Sequence, residues 1–529
     1  MTPEEKQLLR EIKEWKDQKT AQQVFSPIDV ASQRVLRQDL PIVKSISGST
    51  YGVEINDEQY TWDMGSGSGH TIQDEGTPLT TRTNLNFVGS SVAVTDDAGN
   101  NATKVTISAG GGAQCATFVV GPSANADSAD YDYVTDGTAD DVQIQAAIDA
   151  LPSTGGMVLL REGTYTVASP VSSTKVRVRL AGCGGGTLIK AVSSWSTDGY
   201  LVSLTGVECF VENIKFDGNY PTVTYYSRWL SVTGAGSTVS RCEFVAGPES
   251  NGQFNSAQYV NVHSCYFDIS AAAGVSALTI SGTVTSCIFS VSADTVVVDG
   301  NATAIVSDNV FIIPNSYSAT VIIDAAIVVN NTITAGTSIS GTIISGQGAG
   351  SDTRAIGNII YLTSSSGIGI SSMRTVANNY IEMNATTATT VGIEDAAVCQ
   401  GNTIFTAGEA INQVNSYGLV TNNYIYDYLG DGIVLGASYT ECSNNTLLLI
   451  ESATDNTYSG IKFTGARNHC VVTNNIINGN GATKDLKYGI SEDTSCDYNI
   501  IEHNVVTGAD TAQISVVGAN TISSNNITA

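Results

Sequence analysis

From Ile214 to the last residues, apolar and polar positions follow one short unit that keeps returning: apolar-x-x-(Asn or Cys)-x-apolar. Clear copies are Val239-Ser-Arg-Cys242-Glu-Phe244, Val262-His-Ser-Cys265-Tyr-Phe267, Val284-Thr-Ser-Cys287-Ile-Phe289 and Val306-Ser-Asp-Asn309-Val-Phe311. The fourth place is then taken by Asn331, Asn358, Asn379, Asn402, Asn423, Asn445, Asn475, Asn504 and Asn525, and by Ile214 in a degenerate first copy. The step is about 22 residues, lengthened in a few copies, and such a fixed step marks a solenoid. Each copy alternates apolar and polar side chains, is rich in Val, Ile and Thr, and runs into Gly, Ser, Thr and Asn, so it predicts strand and turn. A second, weaker strand recurs at Gly367-Ile368, Gly392-Ile393, Gly432-Ile433, Gly460-Ile461 and Gly489-Ile490. Two or three short strands per repeat predict an all-β fold, a single-stranded parallel β-helix of about 14 rungs of ~22 residues, roughly 65 Å long at ~4.8 Å per rung.

The repeated Asn has two mechanical uses. Asparagines at one place in successive rungs can stack, each amide bonding the next. An Asn can also hold a tight corner, because it tolerates a left-handed backbone. Cys242, Cys265 and Cys287 fill the same slot and read as a buried thiol stack, since free Cys behaves as a small hydrophobe. A metal site there lacks partners: no His shares the position and no CxxC occurs.

The first 112 residues follow other patterns. Thr2-Pro-Glu-Glu5 is a capping box with Pro at the first helical position, followed by an apolar stripe of Leu8, Ile12 and Trp15. A second helix is predicted from Ser26-Pro27 to about Gln38, carrying Val35 and Leu36. Two short amphipathic helices cannot form a core alone, so these stripes predict docking onto another copy or another protein, the alternative being that they fold back on the chain's own β region. Residues 42–70 read as a hairpin, with Tyr51, Val53 and Ile55 facing Tyr60 and Trp62 across an Asn56-Asp57 turn. Residues 71–107 read as a second small β module, with Val92-Ala-Val94 and Lys104-Val-Thr-Ile107 around a turn at Asp97–Asn100. This second module resembles one that recurs in phage tail-fibre and other virion appendage proteins, which implies attachment and trimeric stalk building. The domain division is therefore 1–41 helical attachment segment, 42–112 small β modules and stalk, and 113–529 β-helix.

Charge narrows the partners. The 529 residues carry a formal charge of −26, which argues against nucleic-acid binding and against adhesion to an anionic membrane. No apolar run is long enough for a transmembrane helix, and the charged start does not read as a signal peptide. Ten cysteines without paired local spacing predict reduced thiols in a protein made in a cytoplasm.

Residues 131–165 carry the most specific text. It runs Tyr131-Asp-Tyr-Val-Thr-Asp136-Gly137-Thr138-Ala-Asp140-Asp141-Val-Gln-Ile-Gln145-Ala146-Ala147-Ile148, then Gly155-Gly-Met-Val-Leu-Leu160-Arg-Glu-Gly163-Thr-Tyr165. It resembles the opening of the pectate-lyase-like right-handed β-helix superfamily, especially its phage tailspike and polysaccharide-depolymerase members. The residues support this independently. Asp140 or Asp141 can cap a helix at about 140–151, whose face of Ile144, Ala147, Ile148 and Leu151 would close the open end of a solenoid. The acidic run around Asp136 suggests Ca²⁺, but helix capping accounts for it, so no metal or cofactor is assigned.

Chemistry is less legible. No catalytic residue can be placed, because neither the Arg or Lys base with acidic Ca²⁺ ligands common among lyases of the superfamily nor a hydrolase carboxylate pair has a recognisable text here. Two regions depart from the minimal rung and are candidate glycan contacts. The first contains Asp217, Tyr220, Tyr225, Tyr226, Arg228 and Trp229, whose rings and polar groups suit a sugar. The second contains Tyr424, Tyr426 and Tyr428, spaced for one face of a strand, with Asp431 beyond them. His469 and His503 read as surface or rung residues rather than bases.

Together these features predict a phage tailspike or tail-fibre protein of the virion. It would be a homotrimer held by its N-terminus to other tail or capsid proteins, meeting a host-surface polysaccharide through its β-helix. No C-terminal trimerisation domain is visible after the last rung. Two alternatives stay open: a polysaccharide depolymerase, either lyase or glycoside hydrolase, and a capsid or baseplate decoration protein without glycan contact.

Overall fold

The computed structural model describes residues 117–529 apart from short loop stretches, and before them only the backbone of strands between residues 44 and 107. The segment with Leu8, Ile12, Trp15, Val35 and Leu36 lies outside the described residues. The chain divides into two units, 1–109 and 110–529.

In the first unit, Thr50–Ile55 and Glu58–Asp63 form an antiparallel hairpin that pairs Tyr51 with Trp62 and Val53 with Tyr60, as the alternation predicts. Lys44–Ser47 adds a third strand. Val92–Asp97 pairs with Ala102–Ile107 in a second hairpin.

The second unit is a right-handed parallel β-helix of three long parallel sheets with 18, 16 and 15 strands. The first sheet takes in Phe118–Pro122 and runs through Gly156–Leu160 to Ile522–Ser524; the second runs from Gly163–Val167 to Ile527–Thr528; the third runs from Val171–Ser173 to Ala509–Ser515. The helix therefore starts two rungs before Ile214. Each position of the repeated unit has one place. The leading apolar residue is the middle of a first-sheet strand, so Val239, Val262, Val284, Val306 and Val328 pair in series. The trailing apolar residue is the middle of a second-sheet strand, and there Phe244, Phe267, Phe289 and Phe311 stack inside the coil at 4.5–4.9 Å between ring centroids.

The corner between these sheets divides the two uses of Asn between adjacent residues. The fourth-position residue points inward and forms the ladder. Asn331 Nδ2 donates to Asn358 Oδ1 at 3.0 Å and to the Val306 carbonyl at 2.9 Å, while Asn331 Oδ1 accepts both the backbone N–H and the side-chain amide of Asn309. The same arrangement links Asn358, Asn379, Asn402, Asn423, Asn445, Asn475 and Asn504. A buried amide without partners is costly, and here each is satisfied by its neighbours along the axis. The residue just before takes the left-handed turn: Asn330, Asn378, Asn422, Asn444 and Asn474 all have φ near +55°. This corrects the last copy of the repeat. Asn525, with φ of 55°, is the turn residue, and Asn526 continues the ladder by accepting from Asn504 at 3.0 Å. Cys242, Cys265 and Cys287 extend the column as free, buried thiols, with Cys265 N–H donating to Cys287 Sγ at 3.4 Å.

Helix α1, Asp141–Ala150, buries Ile144, Ala147 and Ile148 together with Leu151 just beyond it, all within one core cluster. Its acids do not cap it as predicted. Asp140 accepts from the backbone N–H of Gly137 at 2.9 Å and Thr166 at 2.7 Å, and Asp141 accepts from Ala168 at 2.7 Å. Asp140 thus fastens the start of α1 to the Gly163–Val167 strand through Thr166, and Asp141 does so just beyond that strand through Ala168.

In the third sheet the Gly-Ile motif has a steric cause. A Cβ on Gly392 would lie 2.6 Å from the Ala410 carbonyl oxygen, and one on Gly460 would lie 2.7 Å from that of Gly489. Glycine lets successive rungs close to strand spacing at this bend.

Candidate functional site

The first candidate region contributes less outward surface than its composition suggests. Trp229 is 0% exposed; its indole N–H donates to the Val245 carbonyl at 2.8 Å and its ring packs on Phe244. It is a core residue and cannot meet a sugar, because the strand Ser227–Val232 turns its third residue inward. Asp217 is ion-paired with Lys190 at 3.1 Å and accepts from the Asn219 backbone at 2.6 Å. Arg228 lies over the Tyr200 ring at 5.6 Å, and Tyr220 is partly buried. Tyr225 and Tyr226 lie outside the described residues.

The second region splits. Tyr424 and Tyr426 stand on the outer face of the second sheet with their rings parallel. Tyr428 does not continue that face. Asp427 has φ of 59°, which ends the alternation and sends Tyr428 into the core, fully buried with no hydrogen bond to its hydroxyl. Burial pushes this phenol upward, with the Asp431 charge adding to the effect.

Asp431 leads instead to a polar group on the outside of the third sheet. It is 4% exposed. One carboxylate oxygen accepts the Ser459 backbone N–H at 2.7 Å and the other accepts Lys462 Nζ at 2.7 Å. Strand register brings in two more acids. Ile411 pairs with Ile433, and Gly430 N–H donates to the Gly408 carbonyl, so Glu409 and Asp431 occupy the same position on adjacent rungs. Glu394, Asn412, Val434 and Lys462 form the next outward column. Asn412 donates its amide to Glu409 at 3.2 Å. Burial raises the Glu409 carboxyl above its ordinary range, and the charges of Asp431 and Glu394 add to this against the pull of Lys462.

This arrangement offers an acid inclined to keep its proton, a carboxylate engaged on both oxygens, a lysine and a second outward acid, with Glu394, Glu409 and Lys462 on strands of the third sheet and Asp431 two residues ahead of one. Such a set can exchange hydrogen bonds with hydroxyls, and Glu409, raised by burial, is the carboxyl suited to donate a proton. Among the described residues no group of three or more His, Cys, Asp or Glu side chains is placed to hold a metal ion.

Sequence reasoning found Asp431 and missed Glu394, Glu409 and Lys462. The signal was present: Glu394 and Lys462 each directly follow a Gly-Ile pair, and that shared place puts them in one column.

Two other surfaces are shaped differently. A groove of about 610 Å³ runs along the corner of the first and second sheets, lined by Lys215, Arg241, Glu243 and Tyr266, but its acid Glu243 is bonded to Lys215 at 2.6 Å. Tyr417, Tyr439, His469 and Tyr498 stack in series at 5.0–5.4 Å on the outside of four rungs, each with φ near +60°. His469 is thus a surface stacking residue, as read from sequence, and His503 is a corner residue with φ of 59°.

No family model matches the sequence, and no curated protein is detectably similar to it. Solved structures do align. A mutant tailspike protein of E. coli bacteriophage HK620 in complex with a hexasaccharide shares 15% identity over 72% of this chain and 75% of its own, with a TM-score of 0.42. Tailspike protein 3 of bacteriophage CBA120 shares 9% over 74% and 60%, with a TM-score of 0.33. The A-module of the Azotobacter vinelandii mannuronan C-5 epimerase AlgE4 shares 16% over 77% and 100%, with a TM-score of 0.30. What these proteins bind or modify is theirs; the fold of this chain rests on its own strand register.

Proposed function

We propose that this chain is a tailspike-like virion protein that recognises a host-surface glycan on the outer face of its third sheet, around Glu394, Glu409, Asp431 and Lys462. It attaches to the particle by its N-terminal segment and works as a homotrimer. The observation that carries the glycan reading is the gathering of these four ionisable side chains on successive rungs. A sugar offers hydroxyls that both donate and accept, which suits a mixed set of acids, amide and amine. The particle reading is supported by the resemblance of residues 71–107 to virion appendage modules and of residues 131–165 to tailspike β-helix openings.

The test is binding of the full chain to polysaccharides stripped from candidate host cells. Glu394→Gln should weaken binding at least several-fold with unchanged thermal unfolding, and Lys462→Met should weaken it by a similar factor per folded molecule. Full binding by both variants, with loss on substitution elsewhere, would move the site.

One observation favours a second reading as a glycoside hydrolase. Glu409 is placed to hold a proton beside other carboxylates, as a general acid needs. Release of new reducing ends by the full chain, abolished in Glu409→Gln while binding persists, would establish it. Binding without product would leave an adhesin.

A further inference from the structure

The second sheet turns an unusually apolar face outward. From the strand Tyr266–Ile269 to the strand Ile527–Thr528, its outward positions include Ile288, Val310, Ile312, Ile359, Tyr361 and Ile476. Ile312 is 51% and Ile476 48% exposed. Most remaining outward positions in these strands are Thr, Ser or aromatic. The ionisable carboxylates among them are Asp268 and Glu382, and Glu382 accepts from the Tyr380 hydroxyl at 2.9 Å. The third sheet differs, presenting Asp299, Glu394, Glu409 and Lys462 on its outer side.

We infer that this face is where copies of the chain pack against one another. Two observations select a second copy as the occupant. The chain carries a formal charge of −26, so two copies repel over most of their surface, and this nearly uncharged strip is where close approach costs least. The strip is also large. Twelve strands at ~4.8 Å by a strand width of about 10 Å give roughly 550–600 Å² before the flanking corners, near the ~800 Å² per partner of a standard interface. Apolar patches beyond a few hundred Å² are rare on lone soluble proteins. The inference deepens the homotrimer part of the proposed function and is independent of the glycan part.

The experiment uses the full chain. Its mass is measured by analytical ultracentrifugation, and single cysteines are introduced as Ile312→Cys and Ile359→Cys on this face and Thr279→Cys on the third sheet. Maleimide labelling is followed for each against the unsubstituted chain, whose exposed Cys183 sets the background. The expected result is a multiple of 55.1 kDa in which the thiols at 312 and 359 label many-fold more slowly than the one at 279. An assembled protein in which all three label alike would place the contact elsewhere and overturn the inference. A monomer would overturn it too, and protected thiols in that monomer would assign the strip to the chain's own N-terminal segment. None of these outcomes touches glycan binding, so the two proposals fail separately.

Discussion

Asn423 donates its side-chain amide to the Asn445 side-chain oxygen at 2.9 Å, and the same oxygen accepts the Asn423 backbone N–H at 3.0 Å. One buried group thus binds both the side chain and the backbone of the rung before it. The ladder couples strand register to side-chain identity, because a slipped rung would break two bonds.

Replacing an internal ladder residue should therefore be expensive. Asn402→Ala leaves the Asn379 backbone N–H buried without a partner and removes one of the three acceptors of the Asn379 amide, which keeps the Ala355 and Ala377 carbonyls. At about 1–3 kcal/mol for the stranded N–H, a loss of roughly that size is expected in urea unfolding. A loss under about 1 kcal/mol would mean that the rungs are held by packing alone.

Trp229→Ala should act on stability and not on recognition. The indole is buried among Phe244 and Phe267, so removal is expected to cost about 3–5 kcal/mol by cavity formation. Glycan binding per folded molecule should stay unchanged. Thermal unfolding and binding on the same sample decide the matter.

Lys462→Met should destabilise the fold by leaving Asp431 without its cation. Lys462 is 40% exposed, so water screens part of the loss, and about 1–3 kcal/mol is expected. Adding Asp431→Asn should recover some of it. A double variant less stable than Lys462→Met would show that the Ser459 N–H, rather than the lysine, is the partner that matters.

Stability should also depend on pH through Glu409. Its folded pKa is raised above the ordinary 4.5, so the folded state holds a proton that the unfolded chain has released. This contribution is fully present below 4.5 and is lost as pH rises through the raised value. Glu409→Gln should flatten that part of the stability curve. An identical slope in the variant would assign the pH dependence to another group, such as Asp140, which burial also raises.

The fold was legible because a β-helix writes one register into every rung. The Asn and Cys column, the inward Phe stack at 244, 267, 289 and 311, and the face of Ile144, Ala147 and Ile148 all follow from spacing. Side-chain direction was less legible wherever the backbone leaves the β region. Tyr428 was aligned with Tyr424 and Tyr426 by alternation, and a single positive φ at Asp427 reversed it. Trp229 was a candidate sugar contact because a longer rung gathers aromatics with an Arg and an Asp there, although the strand points it in. The site escaped for a topological reason: Glu409 and Asp431 are 22 residues apart in sequence and adjacent only through the register of Ile411 with Ile433.

The ladder is indifferent to how far the chain travels between its bonds. Asn402 and Asn423 are 21 residues apart and bond at 3.0 Å; Asn445 and Asn475 are 30 apart and bond at 2.9 Å. Extra residues are spent entirely in loops and leave no trace on the axis. Heredity can therefore revise the outer loops of this protein freely, by insertion as readily as by substitution, while the coil beneath keeps time. The molecule thus separates what must be copied faithfully from what may be rewritten.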